Sequence, residues 1–391
     1  MFDRVLVKSG SNQSERFLFI PDLVDMMFYY GEVHVVLSKF EMAQLLKVFG
    51  DDVLYQLIAN RLLILHPCDQ HVGVGMHGDE YYSVGLYHLK NIDIENLLRG
   101  YHREICSDSA KNADFAKKYS KVLELYQYPD MVQKSIYEDI CDGPKFSRLT
   151  QAFLSQYYPS YPNIADVEIC ADRLNSSIGL FKIDSNLSIN KLNAIHEQNG
   201  YNEKFSYTTL LIAIGATAQD CYLASEIESE LITNSRWGEV YKQRMNEAIN
   251  RTIRSQDNID RFKKTSSVEF LSPGTALMEG RLSPKEILDE LTSQECEKFK
   301  DWLSKLPTDA ELSYEYNQAL KESFKQKWSI KVGRTIVQIG LGAIPIIGQI
   351  LSPVVSILDT FVGDKIGKGW SPILFVDKVL NNNILKNEAS N

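Results

Sequence analysis

Paired cysteines are missing from this sequence. The six cysteines, Cys68, Cys106, Cys141, Cys170, Cys221 and Cys296, are scattered, and no two share C-x-x-C spacing. A disulfide framework belongs to short secreted chains, so this pattern predicts free thiols in a reducing compartment. An excess of positive charge is missing too. The 42 Lys and Arg residues face 51 Asp and Glu, a net charge of −9, which argues against a surface that coats nucleic acid. Neither G-x-G-x-x-G, nor the Walker pattern, nor a G-x-S-x-G elbow occurs. The glycines of "GVGMHG" (73–78) stand at the wrong intervals for a dinucleotide loop. The opening residues lack a basic stretch followed by an apolar run, which predicts cytoplasmic synthesis.

What remains is an ordinary globular composition, with 44% apolar and 24% charged residues. A length of 391 residues suits two or three domains at about 150 residues each. The first hundred residues alternate between strand and helix signals. "RFLFI" (16–20) is an apolar run closed by Pro21, and "DLVDMMFYY" (22–30) has helical spacing before Gly31. "VHVVL" (33–37) is a β-branched strand. Ser38 and Glu41 form a capping box for the helix that follows, Gly50 closes that helix, and "RLLILHP" (61–67) returns as a strand. Such an order predicts a parallel or mixed sheet covered by helices.

"HVGVGMHGDEYYSVGLYHL" (71–89) reads as one or two strands with tight turns, and 92–158 reads as helical. "YYPSYPN" (157–163) is turn-rich. "IGLFKI" (178–183) reads as a strand, and Ser188 caps a helix after it. From 206 to about 327 the pattern is almost wholly helical. Within that tract 271–284 is a loop, and Ser283, Pro284 and Glu286 mark the start of a helix.

The predicted fold class is α+β and multi-domain. An α/β module occupies 1–105. A mainly helical body, with one or two short strands near 165–185, occupies 106–327. An apolar helical hairpin punctuated by Gly and Pro, with a tail, occupies 328–391.

That last part has the strongest single signal. Residues 335–358 carry no charged side chain, yet Pro345 and Pro353 divide them and Gly340, Gly342 and Gly348 dilute them. Proline inside a helix costs about 3 kcal/mol but suits a helix's first turn. The run therefore splits into pieces each too short to cross a bilayer core of about 30 Å. A re-entrant or interfacial hairpin, a kinked span and a buried hairpin in a helical core all fit this pattern. Trp328, Lys331 and Arg334 precede the run and Trp370 follows it, in the manner of interfacial anchors. With Ile344, Ile347 and Val354 they form the predicted membrane-contact set. The Ile-Pro-x-x-Gly punctuation at 344–348 resembles glycine-rich hairpins of several bacterial toxin and effector proteins. The resemblance covers under a tenth of the chain.

Two candidate chemistries arise elsewhere. Ligands of open α/β sheets bind beyond the carboxyl ends of the strands, which places Asp22, Lys39 and His66 as a candidate catalytic set for a phosphate-bearing ligand. "HPCDQHVGVGMH" brings His66, Cys68, His71 and His77 close in sequence, as a candidate zinc set. Its spacing matches no standard zinc template. Asp22 and Ser38 also serve as helix caps, and loop histidines need no metal.

The leading expectation is a non-enzymatic effector or interaction protein. It would be made in the cytoplasm, hold no cofactor, and touch anionic lipid at the inner face of the membrane through its C-terminal hairpin. One alternative is an enzyme directed at a phosphodiester or a phosphate ligand. Another is a homo-oligomeric scaffold, or a partner-binding one, with the hairpin buried.

Overall fold

A computed structural model describes residues 4–8, 20–78, 80–88, 92–174, 179–199, 204–233, 237–244 and 273–304. The predicted hairpin at 328–391 lies outside the described residues, as do all seven of its proposed membrane contacts.

The fold is α+β, with two four-stranded sheets. The first sheet holds β1 (Arg4–Lys8), β2 (Glu32–Leu37), β3 (Ile64–Pro67) and β8 (Glu230–Thr233), in the order β3-β2-β1-β8. All three pairings are parallel. The second sheet is antiparallel. It runs β4 (His71–His77), β5 (Tyr81–Tyr87), β7 (Phe181–Ser185) and β6 (Ile169–Arg173). The predicted strands at 71–89 are the β4–β5 hairpin, and the strands expected near 165–185 are β6 and β7.

The crossovers of the parallel sheet are helical, as parallel pairing requires. α1 (Ile20–Tyr29) joins β1 to β2, and α2 (Lys39–Ala59) joins β2 to β3. α1 starts two residues before the predicted point. Pro21 is accepted in its first turn, where the missing N–H costs nothing. Asp22 therefore lies inside α1 instead of capping it. α2 opens with the predicted capping box, formed by Ser38 and Glu41, and is kinked at Gly50, whose φ is 72°. A left-handed φ is open to glycine at no steric cost.

One face of β1, β2 and β3 is apolar. Val5, Val7, Val33, Val35, Leu37, Leu63 and Leu65 point into a core shared with α1, α2, α3 (Ile94–His102) and α4 (Ser109–Tyr119). Three helices from far along the chain close this core: α9 (Pro273–Met278), α10 (Pro284–Leu291) and α11 (Gln294–Ser304). The predicted Ser283–Glu286 capping box is present at α10. The expected loop at 271–284 instead contains α9. Its contact with α1 explains this. A Cβ on Gly274 would stand 2.0 Å from the Pro21 carbonyl oxygen, so only glycine lets the two backbones meet. The Gly274 N–H donates to buried Asp25 at 2.7 Å.

Leu6, Val36 and Leu231 point the opposite way, into a second core built on α5 (Asp130–Cys141), α6 (Gly143–Tyr157), α7 (Ile189–Gln198) and α8 (Tyr207–Glu226). β8 corrects the expectation that the tract beyond 206 holds only helix and loop. "ELIT" is too short to show a period of its own, and its pairing with β1 makes it a strand. No described helix is long and apolar enough to cross a membrane.

Candidate functional site

Side chains alternate along a strand, so the residues between the valines of β1 to β3 face α8. The ionisable groups of that face are Arg4 and Lys8 on β1, Glu32 and His34 on β2, and His66 on β3. A parallel sheet covered on both sides is ordinarily near-continuous in apolar residues. Polar groups on one face of it are therefore where chemistry or recognition is sought.

The two histidines form a chain with Glu32. His34 Nδ1 lies 2.9 Å from His66 Nε2, and the rings stack with centroids 5.2 Å apart. His34 Nε2 sits 3.4 Å from Glu32 Oε2 without a hydrogen bond of normal geometry. The carboxylate favours a proton on His34 Nε2, which leaves Nδ1 to accept from the His66 N–H. Burial lowers the pKa of both rings, His66 to about 4, and so holds the pair neutral. Burial works against the Glu32 charge, but hydrogen bonds from Arg61 and Arg4, with His34 close by, outweigh it and lower its pKa.

His66 is thus committed to His34 and to an edge-on contact with Tyr126. Lys39 turns outward, donates to Glu104 at 2.7 Å and lies over the Phe40 ring. No hydrogen bond or ion pair joins Lys39 to His66 among the described residues. The Asp22 side chain lies outside the described residues.

The four zinc candidates are likewise separated. Cys68 Sγ approaches the Gln70 carbonyl, and burial pushes its thiol up to about 11. His71 lies against Tyr87, and His77 pairs with Ser83 at 3.0 Å. His71 and His77 mark the two ends of extended β4, about 20 Å apart at the rise of a strand. A tetrahedral zinc shell needs donors within about 2.3 Å of one point. Among the described residues no three His, Cys, Asp or Glu side chains are placed to hold a metal ion.

The carboxyl ends of the parallel strands carry a different cluster, which sequence reasoning missed. The Tyr101 hydroxyl, from α3, lies 3.0 Å from the Leu37 carbonyl and 3.1 Å from the Cys68 carbonyl, so its one proton is shared between the ends of β2 and β3. Lys8 ends β1. Its ammonium lies 3.7 Å from Asp220 Oδ1 on α8, close enough for an ion pair but too long for a direct hydrogen bond. Tyr241 donates to Asp220 Oδ2 at 2.5 Å from a helical segment at 238–244. Burial works against the Lys8 charge, but Asp220, Glu41 and Cys68 outweigh it, so the Lys8 pKa is raised. Tyr128 is buried beside this group. Its ring packs edge-on to Tyr126, and its hydroxyl has no hydrogen-bond partner in the described structure. Burial first, and Asp220 next, raise its pKa. These residues come from positions 8, 128, 220 and 241, so no local motif announces them.

A third polar group braces the second core. Asp139 is 1% exposed and pairs with Arg244 at 2.5 Å and with Lys145. Arg244 also donates to Thr217 Oγ1 and to the Ile214 carbonyl. All of its visible work is to tie the segment after β8 onto α5, α6 and α8.

No protein-family model matches the chain, and no curated protein or solved structure matches it.

Proposed function

We propose that the chain is a non-enzymatic effector or interaction protein whose output element is the uncharged segment at 335–358. One observation carries the reading. No charged residue stands between Arg334 and Asp359, while Lys321, Lys325, Lys327, Lys331 and Arg334 crowd the near side and Lys365 and Lys368 the far side. In a chain of net charge −9, this local basic excess would contribute attraction to anionic lipid of about 1 kcal/mol per Lys or Arg near the surface. Trp328 and Trp370 suit the headgroup level. Further support comes from the body. Lys39 pairs with Glu104 and His66 with His34, separate contacts that favour this reading over a phosphate-directed site.

The reading is tested with vesicles of phosphatidylserine and phosphatidylcholine. Full-length chain should release an entrapped dye, and a chain lacking 328–391 should not. Equal release by both, or none by either, rules out the proposal.

A further inference from the structure

The outer edge of the antiparallel sheet carries a second feature, independent of the membrane reading. β4 is an edge strand with a hydrogen-bonded neighbour on one side alone, β5. Residues of an antiparallel pair alternate between exchanging backbone hydrogen bonds and pointing them away. Gln133 on α5 reveals which residues do which. Its side chain accepts from the Leu86 N–H at 2.6 Å and donates to the Val84 carbonyl at 3.0 Å. Val84 and Leu86 therefore direct their backbone groups away from β4. Their alternates Ser83, Gly85 and Tyr87 bond to Gly75, Gly73 and His71 of β4. The intervening residues, Val72, Val74 and Met76, direct N–H and C=O to the outer edge. Among the described residues no backbone group of another element meets them.

An open strand edge is a template for pairing, and the other edges of this fold are short or filled. On β6, the Ser147 hydroxyl accepts from the Ile169 N–H at 3.0 Å and donates to its carbonyl at 3.2 Å. Gln133 fills the part of β5 that β7 leaves uncovered. β3 and β8 have four residues each, and the Pro67 carbonyl of β3 accepts from the Tyr126 N–H. β4 has seven residues, no proline, no Asp, Glu, Lys or Arg, and no bulge in its register with β5. α8 covers one end of it, where Gln219 donates to the Gln70 carbonyl at 3.2 Å and Val72 lies against Gly215. Beyond that end Val74 is half-buried and Met76 is 59% exposed.

The residues of β4 indicate what fits this edge. Read outward from Val74, the strand meets Gly73 and Gly75, then Val72 and Met76, then His71 and His77. A strand that reads alike in both directions is complementary to a second copy of itself run antiparallel, the isologous contact of a two-fold dimer. With the axis at Val74, the outward groups of Val74 meet those of its own counterpart, and those of Val72 meet Met76 of the other copy. Each outward donor then has an acceptor. Glycine lies beside glycine, and exposed Met76 gains an apolar neighbour. An axis at Val72 would need the Gln70 carbonyl, which Gln219 holds, and an axis at Met76 would run into the turn at Gly78. We propose that β4 pairs antiparallel with β4 of a second copy about Val74, joining their two four-stranded sheets into one.

Sedimentation velocity on the full chain at micromolar concentration should show a dimer. Val74→Pro removes an outward N–H and none from the β4–β5 ladder, a change that edge strands accept. It should weaken the dimer by about tenfold or more. Met76→Lys sets a charge against Val72 of the other copy and should act in the same direction. Near-ultraviolet circular dichroism checks that each variant is folded, and either variant alone suffices if the other is not. Under oxidation Val74→Cys should cross-link to its own counterpart, because hydrogen-bonded antiparallel pairs hold their Cα atoms about 5.5 Å apart, within disulfide reach. Val72→Cys would stand about 13 Å along the strand from its own counterpart and should cross-link no more than the parent chain. The proposal is overturned if the chain sediments as a monomer, which would leave the edge to an extended segment of another protein. It is equally overturned if a folded Val74→Pro or Met76→Lys chain dimerises like the parent, or if Val74→Cys cross-links no faster than Val72→Cys.

Discussion

The two faces of the parallel sheet are built on different terms. Toward α1 and α2, strands β1, β2 and β3 present Val and Leu side chains, all at most 8% exposed. Toward α8 the same three strands present Leu6 and Val36 but also Lys8, His34 and His66. The apolar face gains from burial at about 25 cal/mol per Å² and needs no partner of particular geometry. The polar face must satisfy each buried donor and acceptor or lose stability. The comparison teaches where specificity can reside. The first face holds the sheet together, and the second carries the groups that can be titrated or paired.

The largest expected effect lies in the layer that covers the polar face. Asp139→Ala leaves Arg244 and Lys145 half-buried or buried without their shared carboxylate. Breaking a buried ion group in this way should cost about 3–5 kcal/mol, measured as a lower urea midpoint. On the apolar side, Leu37→Ala removes a side chain that is 1% exposed and should cost about 2–5 kcal/mol by opening a cavity. The two losses should differ in their salt response, because only the first is electrostatic.

The histidine pair sharpens the contrast through pH. His66 takes up a proton near pH 4 in the folded chain against 6.5 for an ordinary histidine. Between those values the unfolded chain holds more protons, so stability falls as pH falls from 6.5 to 4 and levels off below that. The loss should be at most about 3 kcal/mol. Thermal melts across that range should show it, and His66→Phe should flatten the slope there. No such slope is expected from the apolar face. The smallest effect is expected from Lys39→Ala. Lys39 is 46% exposed and its pair with Glu104 is a surface one, so chemical denaturation should shift by under about 1 kcal/mol.

Much of the apolar half was legible in the sequence. The β-branched run at 33–37, the Ser38–Glu41 and Ser283–Glu286 boxes and the glycine stop at Gly50 are local signals, and each appears where local chemistry places it. β8 and α9 were not legible, because their causes are not local. β8 is a strand through its pairing with β1, and α9 forms where Gly274 meets the Pro21 backbone. The polar half was read least well for the same reason. Strand-end reasoning named Lys39 and His66 and passed over Lys8, the residue of that edge whose ammonium meets Asp220. Lys39 is the first residue of α2, just after its cap Ser38, and its side chain is 46% exposed, whereas Lys8 lies in register on the face that meets α8. Asp220, Tyr128 and Tyr241 reach that edge only through folding.

The most direct test of the proposed role is flotation of the intact chain with anionic vesicles, set beside the triple variant Ile344→Asp, Ile347→Asp and Val354→Asp. The account predicts that the parent chain floats with the vesicles and that the variant, equally folded by circular dichroism, stays at the bottom of the gradient. Equal flotation of the two, or a parent chain that never leaves the bottom fraction, would contradict it.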